Sequence, residues 1–185
     1  SRARPNRFTC VPPTPPCLVD DGPSMTTEID IRLAIRADID AIAALYGEAF
    51  DPMQPRMSVE QYLTPPGAFA LIAHIDNNDS RNPAPAGFLI GRVVLDESEI
   101  FSVGVANEFR RRGVARALVE TLCALAAARG AHAVFLEVAV DNPGATALYR
   151  DSGFDIVGRR ENYYRDPGGN RIDALVMKCA VKTEN

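Results

Sequence analysis

"VANEFRRRGVARALVETL", residues 105–122, places a run of arginines and a glycine between an apolar run and a helical run. The residues just before it have the composition of a strand, whereas Val114, Leu118 and Leu122 recur at helical spacing. A strand, a short turn and a helix leave the first N–H groups of the helix without intrahelical partners. Those groups and the helix dipole attract anions, so the turn predicts a phosphate site. A solvated turn that happens to be rich in arginine is the competing interpretation.

The residue types in the turn suit a pyrophosphate. Gly113 has no Cβ, which lets the backbone come close to a phosphate, and Ala115 keeps the first helical turn narrow. Arg110, Arg111 and Arg112 add positive charge around the same point. We therefore expect the backbone amides of residues 111–115 to form the anion site.

The composition weighs against nucleic acid as the partner of this turn. The chain has 185 residues, a net charge of −4 and 46% hydrophobic residues, with a pI of about 5.2. Proteins that grip nucleic acid usually carry a basic face and a high pI. We expect no direct nucleic-acid binding and, at this length, one domain with a sizeable core.

The cysteines and histidines do not form a metal-binding pattern. Cys10 and Cys17 lie in a proline-rich segment, Cys123 and Cys179 lie in apolar runs, and no C-x-x-C pair occurs. The two histidines are far apart in the sequence. The sequence therefore predicts no metal site and a reducing, cytoplasmic location. No apolar run approaches about 18 residues, so we expect no association with a membrane.

The pattern along the chain predicts a mixed fold. Residues 1–24 are rich in proline and lack periodicity, which predicts a disordered tail before Met25, the expected start of a single domain over residues 25–185. Strands are predicted at residues 29–35, 68–75, 87–95, 99–106, 133–140, 154–164 and 172–181. Helices are predicted at residues 36–50, 58–63 with Ser58 as N-cap, 114–130 and 142–153. This order is typical of an α+β, or mixed α/β, fold: a mostly antiparallel sheet of about seven strands flanked by helices. We expect a monomer or a weak dimer.

The arginine turn resembles a family signature. "RRRGVA", residues 110–115, fits the Q/R-x-x-G-x-G/A motif of the GNAT superfamily of N-acetyltransferases, and "LEVAVDNPGATALYRDSGF" resembles the family's second conserved block. The resemblance spans residues 29–181. It implies a cleft between splayed strands, acetyl-CoA as cosubstrate and pyrophosphate binding by the backbone of the motif, with Val114 and Arg116 beside it. No metal is implied.

Several blocks in order resemble the RimI type within that superfamily. They are "VVLDESEIFSVGV", "FLEV", "N-x-x-A-x-x-L-Y-x-x-x-G-F" and "RRENYY…DALVM". RimI-type enzymes acetylate the N-terminal alanine of a ribosomal protein, which implies such an N-terminus as acceptor. The chain has no Trp, although RimI-type sequences often carry one after the first helix. Acetylation of a small-molecule amine and a non-catalytic acyl-CoA-binding module remain the alternatives.

The resemblance also implies the catalytic pair. Glu137 is the one ionisable residue in an apolar strand, where a carboxylate is at an exposed edge, held by a structural partner or facing a wet cleft. The resemblance implies that Glu137 is the general base and that Tyr149 donates a proton to the CoA sulfur. Tyr149 is otherwise an ordinary tyrosine at the edge of the core.

Further contacts with the coenzyme follow from the same resemblance. Asn142 is the N-cap of its helix by pattern and, by resemblance, also binds the pantetheine arm. The strand before the arginine turn is expected to bulge and splay, with Gly104 compatible with the bulge. The freed backbone groups of Val103 and Val105 then bind pantetheine and the acetyl carbonyl. Tyr163, Tyr164 and Arg159 either line the acceptor entrance or are solvated.

Overall fold

The computed structural model describes residues 28–50, 55–76, 83–165 and 168–182. The predicted tail, residues 1–24, and the predicted start at Met25 lie outside the described residues. The domain boundary therefore stays a prediction. Within the described ranges, no helix is both long and apolar enough to cross a lipid bilayer.

The described residues confirm the predicted fold class and order of elements. The strands are β1 (Ile29–Leu33), β2 (Ala68–Ile75), β3 (Ala84–Val94), β4 (Glu97–Val105), β5 (Ala133–Ala139), β6 (Asp155–Arg165) and β7 (Arg171–Ala180). The α-helices are α1 (Ile39–Phe50), α2 (Pro55–Leu63), α3 (Val114–Ala128) and α4 (Pro143–Asp151). Short 3-10 turns cover Arg36–Asp38 and Asn107–Phe109.

One sheet contains all seven strands, in the order β1-β2-β3-β4-β5-β7-β6. Among the strand pairs that the described residues form, β4 and β5 alone run parallel. Their pairing starts at Glu97 opposite Ala133 and ends at Ile100 opposite Leu136, although β4 continues to Val105 and β5 to Ala139. The two strands therefore part, and the predicted splayed cleft opens between them.

Two of the predicted boundaries that differ from the structure have a local explanation. β1 ends at Leu33, because Arg32 binds Asp38 through two contacts of 2.7 Å and Asp38 also accepts the N–H of Ile35, which turns the chain. α2 begins at Pro55, so Ser58 lies inside the helix and is not its N-cap. Proline is tolerated in a first helical turn, where its missing N–H would have no partner.

The predicted bulge occurs at a different residue. Ile90 faces Ser102 and Gly91 faces Ile100, so Phe101 is the extra residue of β4 and Gly104 stays in register opposite Phe88. A Cβ at Gly104 would lie 2.4 Å from Cε1 of Phe88. Gly104 is therefore explained by close packing rather than by the bulge.

The helix that follows the arginine turn is seated on β3. The apolar stripe of α3 includes Leu118 and Leu122, which are fully buried. Gly91 of β3 makes room for this stripe, because a Cβ there would lie 2.8 Å from Cδ1 of Leu122 and 2.7 Å from the carbonyl oxygen of Glu99. The packing of α3 on the sheet thus fixes where its first turn points.

We expect Gly91→Ala to lower the free energy of unfolding by about 1–3 kcal/mol, because the added methyl group overpacks the interface between α3 and the sheet. Urea denaturation measures this change. Gly144→Ala is the matched control, because its Cβ would meet only Oδ1 of Asn142 at 3.9 Å, an ordinary contact. Equal effects of the two substitutions would contradict the assigned role of Gly91.

Candidate active site in the cleft between β4 and β5

The start of α3 presents a row of free backbone amides. Gly113, at φ +84°, precedes the helix without a side-chain cap, and the first helical bond runs from the N–H of Ala117 to the oxygen of Gly113 at 3.0 Å. In the described part of the chain, the amides of residues 111–116 donate to no acceptor. Arg111 adopts φ +64°, a conformation that is uncommon outside glycine. The turn therefore has the unsatisfied donors that an anion site requires.

The arginine side chains surround these amides and are exposed. Of the four arginines at residues 110, 111, 112 and 116, three have protein contacts. Arg110 Nε donates to the backbone oxygen of Val105 at 3.4 Å. The guanidinium carbon of Arg112 lies 5.4 Å from the centre of the Phe109 ring. Arg116 donates to Asp151 at 3.3 Å. The guanidinium of Arg111 has no hydrogen bond, ion pair or ring contact with another described residue. The predicted positive charge around the turn is present, and contacts within the protein hold three of the four arginine side chains.

The strand before the turn directs alternate peptide groups into the cleft. The N–H of Ala106 donates to Ala86 of β3 at 2.9 Å, so the peptide groups of even-numbered residues here face β3. In an antiparallel ladder the intervening residues face the other way. The N–H and C=O groups of Val103 and Val105 therefore point into the cleft, beyond the last pair of β4 and β5.

Glu137 lies one residue beyond the point where β5 leaves β4. Its side chain is 17% exposed, and Arg160 Nε lies 2.5 Å from its Oε1. The hydroxyl of Tyr163 donates to the same carboxylate, and this hydrogen bond is the main reason that the pKa of Tyr163 is raised. The hydroxyl of Tyr164 donates to the backbone oxygen of Glu137 at 3.2 Å. Glu137 thus has structural partners and also borders the cleft.

Tyr149 of α4 is 8% exposed, and its ring packs 5.9 Å from that of Phe154. Burial raises the pKa of Tyr149 to about 12. Burial also raises the pKa of Tyr164 to about 12, with smaller contributions from Glu137 and Tyr149. The Tyr149 hydroxyl has no hydrogen-bond partner among the described residues. Every fully buried polar side-chain atom there does have one, so this hydroxyl reaches a surface. Tyr149 is therefore a buried tyrosine with an accessible hydroxyl, and its catalytic role stays a prediction.

Asn142 caps α4 as predicted. Its Oδ1 accepts the N–H of Ala145 at 3.0 Å, and its backbone oxygen accepts the hydroxyl of Thr146 at 3.0 Å. The side-chain N–H₂ group has no partner in the described ranges and is free to bind a ligand. Its contact with pantetheine stays a prediction.

The sequence pattern did not reveal two residues of this region, Arg160 and Asp173. Residues 161–163 of β6 lie opposite Asp173 alone, and Asn162 adopts φ +56° there. Asp173 accepts the N–H of Asn162 at 2.8 Å and Arg159 Nε at 2.7 Å, which holds the bulge. Tyr163, in the bulge, and Arg160, the last paired residue before it, both contact Glu137. A polar strand with alternating charges gave no signal that distinguished Arg160 from Arg159.

The described residues offer no cluster of metal ligands. No three His, Cys, Asp or Glu side chains within the described ranges lie close enough together to hold a metal ion.

A cavity lies apart from the cleft. Its volume is about 340 Å³, and it lies between the end of β1 and the end of α3, where Leu33, Phe69 and Arg129 line it. None of its lining residues belongs to the cleft.

Comparison with known proteins identifies the family. A model described as the acetyltransferase (GNAT) family matches residues 39–154. The chain belongs to the GNAT acetyltransferase family. This family uses acetyl-CoA as its acetyl donor.

Curated relatives of this GNAT acetyltransferase carry specific names. The [ribosomal protein bS18]-alanine N-acetyltransferase of Escherichia coli K12 is 40% identical over 102 residues, which cover 55% of this chain and 68% of the relative. The N-alpha-acetyltransferase RimI of Mycobacterium tuberculosis is 33% identical over 161 residues, 83% of this chain and 93% of the relative. The crystal structure of the ribosomal-protein-S18-alanine N-acetyltransferase from Escherichia coli has a TM-score of 0.73 and 27% identity, and the match covers 85% of this chain and 97% of that one.

The start of α3 fits the diphosphate of acetyl-CoA. Free amides lie along its first turn, and a Cβ at Gly113 would meet no heavy atom within 4 Å. The space beside this amide is therefore open, and a phosphate oxygen can approach it.

We expect Gly113→Ala to weaken acetyl-CoA binding about tenfold, because the methyl group would occupy the space that a phosphate needs and cost at least one charge-assisted hydrogen bond. Isothermal calorimetry measures the affinity. Gly130→Ala is the matched control, since Gly130, just beyond the other end of α3, has φ +89° and an equally open Cβ position. Both variants carry the same backbone strain, about 1–2 kcal/mol. Equal affinity losses would contradict the site.

Proposed function

We propose that this GNAT acetyltransferase binds acetyl-CoA in the cleft and transfers the acetyl group to the N-terminal alanine α-amine of a ribosomal protein. The observation that carries the proposal is the row of free amides at α3 beside a cleft that Glu137 borders. The acceptor is inferred from relatives named for alanine N-acetylation, of which one is 40% identical. A relative named RimI matches most of both chains, which supports the same acceptor class.

The coenzyme end of the cleft is proposed to bind acetyl-CoA through the backbone. The amides of residues 111–116, which include those of Gly113, Val114 and Ala115, would hold the pyrophosphate, and the exposed arginines would attract it. Val103 and Val105 would bind the pantetheine arm and orient the thioester, with the side-chain N–H₂ group of Asn142 as a further donor. A backbone N–H aimed at the thioester oxygen stabilises the charge that develops there.

Glu137 is proposed to deprotonate the acceptor. An N-terminal α-amine has a pKa of about 8, so most of it arrives as the ammonium. Glu137 takes one proton, directly or through a water molecule, and the nitrogen lone pair then attacks the thioester carbon. An N–C bond forms and the C–S bond breaks, while the nitrogen loses a second proton to solvent.

Tyr149 is proposed to protonate the leaving sulfur. The departing CoA thiolate takes the phenolic proton of Tyr149, which regains a proton from solvent afterwards. A phenol with a pKa of about 12 is protonated at neutral pH and is therefore ready to donate. The products are the acetylated amide, free CoA and one proton.

Acceptor identity is tested with purified protein, acetyl-CoA and a panel of peptides that differ only in the first residue. We expect acetylation of the alanine peptide, detected by mass spectrometry and by release of free thiol, and weaker activity on small polyamines. Preference for a polyamine would replace the proposed acceptor but keep the acetyltransferase. Binding of acetyl-CoA without acetylation of any amine would favour a non-catalytic module.

Glu137→Gln and Tyr149→Phe are each expected to lower kcat about 100- to 10,000-fold, the usual contribution of a positioned proton donor or acceptor. Their affinity for acetyl-CoA, measured by calorimetry, should stay within about twofold of the unmodified protein, since neither side chain contacts the diphosphate. Full activity in both variants would remove the assigned roles while leaving the family assignment intact.

The pH dependence of kcat provides an independent check on Tyr149. The donor is the protonated form, which predominates below its pKa of about 12 and is lost only as the pH approaches that value. We therefore expect no alkaline decline of kcat from Tyr149 up to about pH 10. A decline centred near pH 8 or 9 that disappears in Tyr149→Phe would contradict this pKa.

A further inference from the structure

The carboxylate proposed as general base already holds a cation. Arg160 Nε lies 2.5 Å from Oε1 of Glu137, and the side chain of Glu137 is only 17% exposed. The hydroxyl of Tyr163 donates to the same carboxylate. Arg160 is the only cation of the described residues that pairs with Glu137.

This pair conflicts with binding of the acceptor as it stands, because Arg160 lies against the carboxylate that the ammonium must reach. An incoming ammonium would be repelled by a guanidinium at the same position. Either Glu137 is not the base, or Arg160 leaves when the acceptor arrives.

We propose that Arg160 marks the binding position of the acceptor's α-ammonium group and that the ammonium displaces it from Glu137. The inference rests on the proposed function, because it takes Glu137 as the group that receives the proton. One cation replaces another, so the carboxylate is never left unpaired in a partly buried place. Such an exchange avoids the cost of an isolated charge.

The surroundings of Arg160 allow the side chain to move while its backbone stays in place. The side chain of Arg160 is 57% exposed, so solvent is open to it once the pair is released. Its guanidinium carbon also lies 5.4 Å from the centre of the Tyr163 ring, a cation–π contact that accompanies the pair. The backbone next to it is fixed, because Asp173 holds Asn162 and Arg159. Release of the pair therefore requires rotation of one side chain and no change in the bulge.

The exchange selects for a charged primary amine. An N-terminus that is already acylated has no positive charge with which to replace the guanidinium. Arg160 would therefore stay paired with Glu137 and block its access to that N-terminus. Arg160 would thus act as a specificity-determining residue for free N-termini.

The test measures peptide affinity by calorimetry with the protein saturated with CoA, so that no turnover occurs. One peptide begins with alanine, and its analogue carries a propionyl group in place of that residue and has no amine. We expect Arg160→Gln to bind the alanine peptide about fivefold more tightly, the effect of losing a competing, partly exposed ion pair. The analogue should bind both proteins equally. Arg160→Lys, which restores a cation, should return the affinity toward that of the unmodified protein.

Two further variants provide controls. Arg165→Gln makes the same change of charge on the same strand at an exposed residue, and it should leave both affinities unchanged. In a Glu137→Gln background, Arg160→Gln should have no effect, because the gain comes from the pair.

Weaker or unchanged binding of the alanine peptide by Arg160→Gln would overturn the exchange, as would equal tightening of both peptides. If Glu137→Gln keeps full turnover, the proposed function of Glu137 fails, whatever the affinities show. If Glu137→Gln is inactive and Arg160→Gln gives no gain, the exchange alone fails. If the unmodified protein binds CoA but not the alanine peptide, both the proposed acceptor and the exchange are rejected.

Discussion

The site depends on one feature of the sheet, the early end of the pairing between β4 and β5. After Ile100 and Leu136 the two strands stop exchanging hydrogen bonds, although both continue in extended form. Peptide groups that would normally satisfy each other across a ladder are therefore left facing an open cleft. Val103 and Val105 on one side and Glu137 on the other border this opening. A continuous ladder would leave no opening here and no free backbone donors beside it.

The second requirement is that the first turn of α3 stays fixed beside that cleft. Leu118 and Leu122 are buried against β3, where Gly87 leaves space for Leu118 and Gly91 for Leu122. The rigid seat of the helix holds its amides in one orientation. Preorganised donors bind an anion without the cost of ordering them at the moment of binding. The packing of the apolar stripe of α3 therefore fixes the orientation of the free amides at the start of the helix.

The side of the cleft next to Glu137 is built differently, from a bulge in the last hairpin. Asp173 binds the backbone of Asn162 and the side chain of Arg159, and these contacts support residues 161–163 outside the regular ladder. The bulge carries Tyr163, and Arg160 precedes it directly; both side chains contact Glu137. Two carboxylates thus have distinct tasks, since Asp173 holds the backbone and Glu137 borders the cleft.

The sequence by itself determined the order of elements, the family motif at residues 110–115 and the strand and helix that carry Glu137 and Tyr149. These are local signals: the 3.6- and 2-residue periods of apolar side chains, and a glycine where a helix begins after a strand. Apart from element boundaries set by local contacts, the predictions from sequence were wrong where a long-range contact decided the outcome. The bulge lies at Phe101, where the register between β3 and β4 shifts. Gly104 is a glycine because the ring of Phe88 occupies the space that a Cβ would take. Only the tertiary structure paired Arg160, rather than its neighbour Arg159, with Glu137, because β6 and β5 are separated by β7 in the sheet and the side chain of Arg160 reaches across it. No local pattern encodes a contact between residues on strands that do not pair.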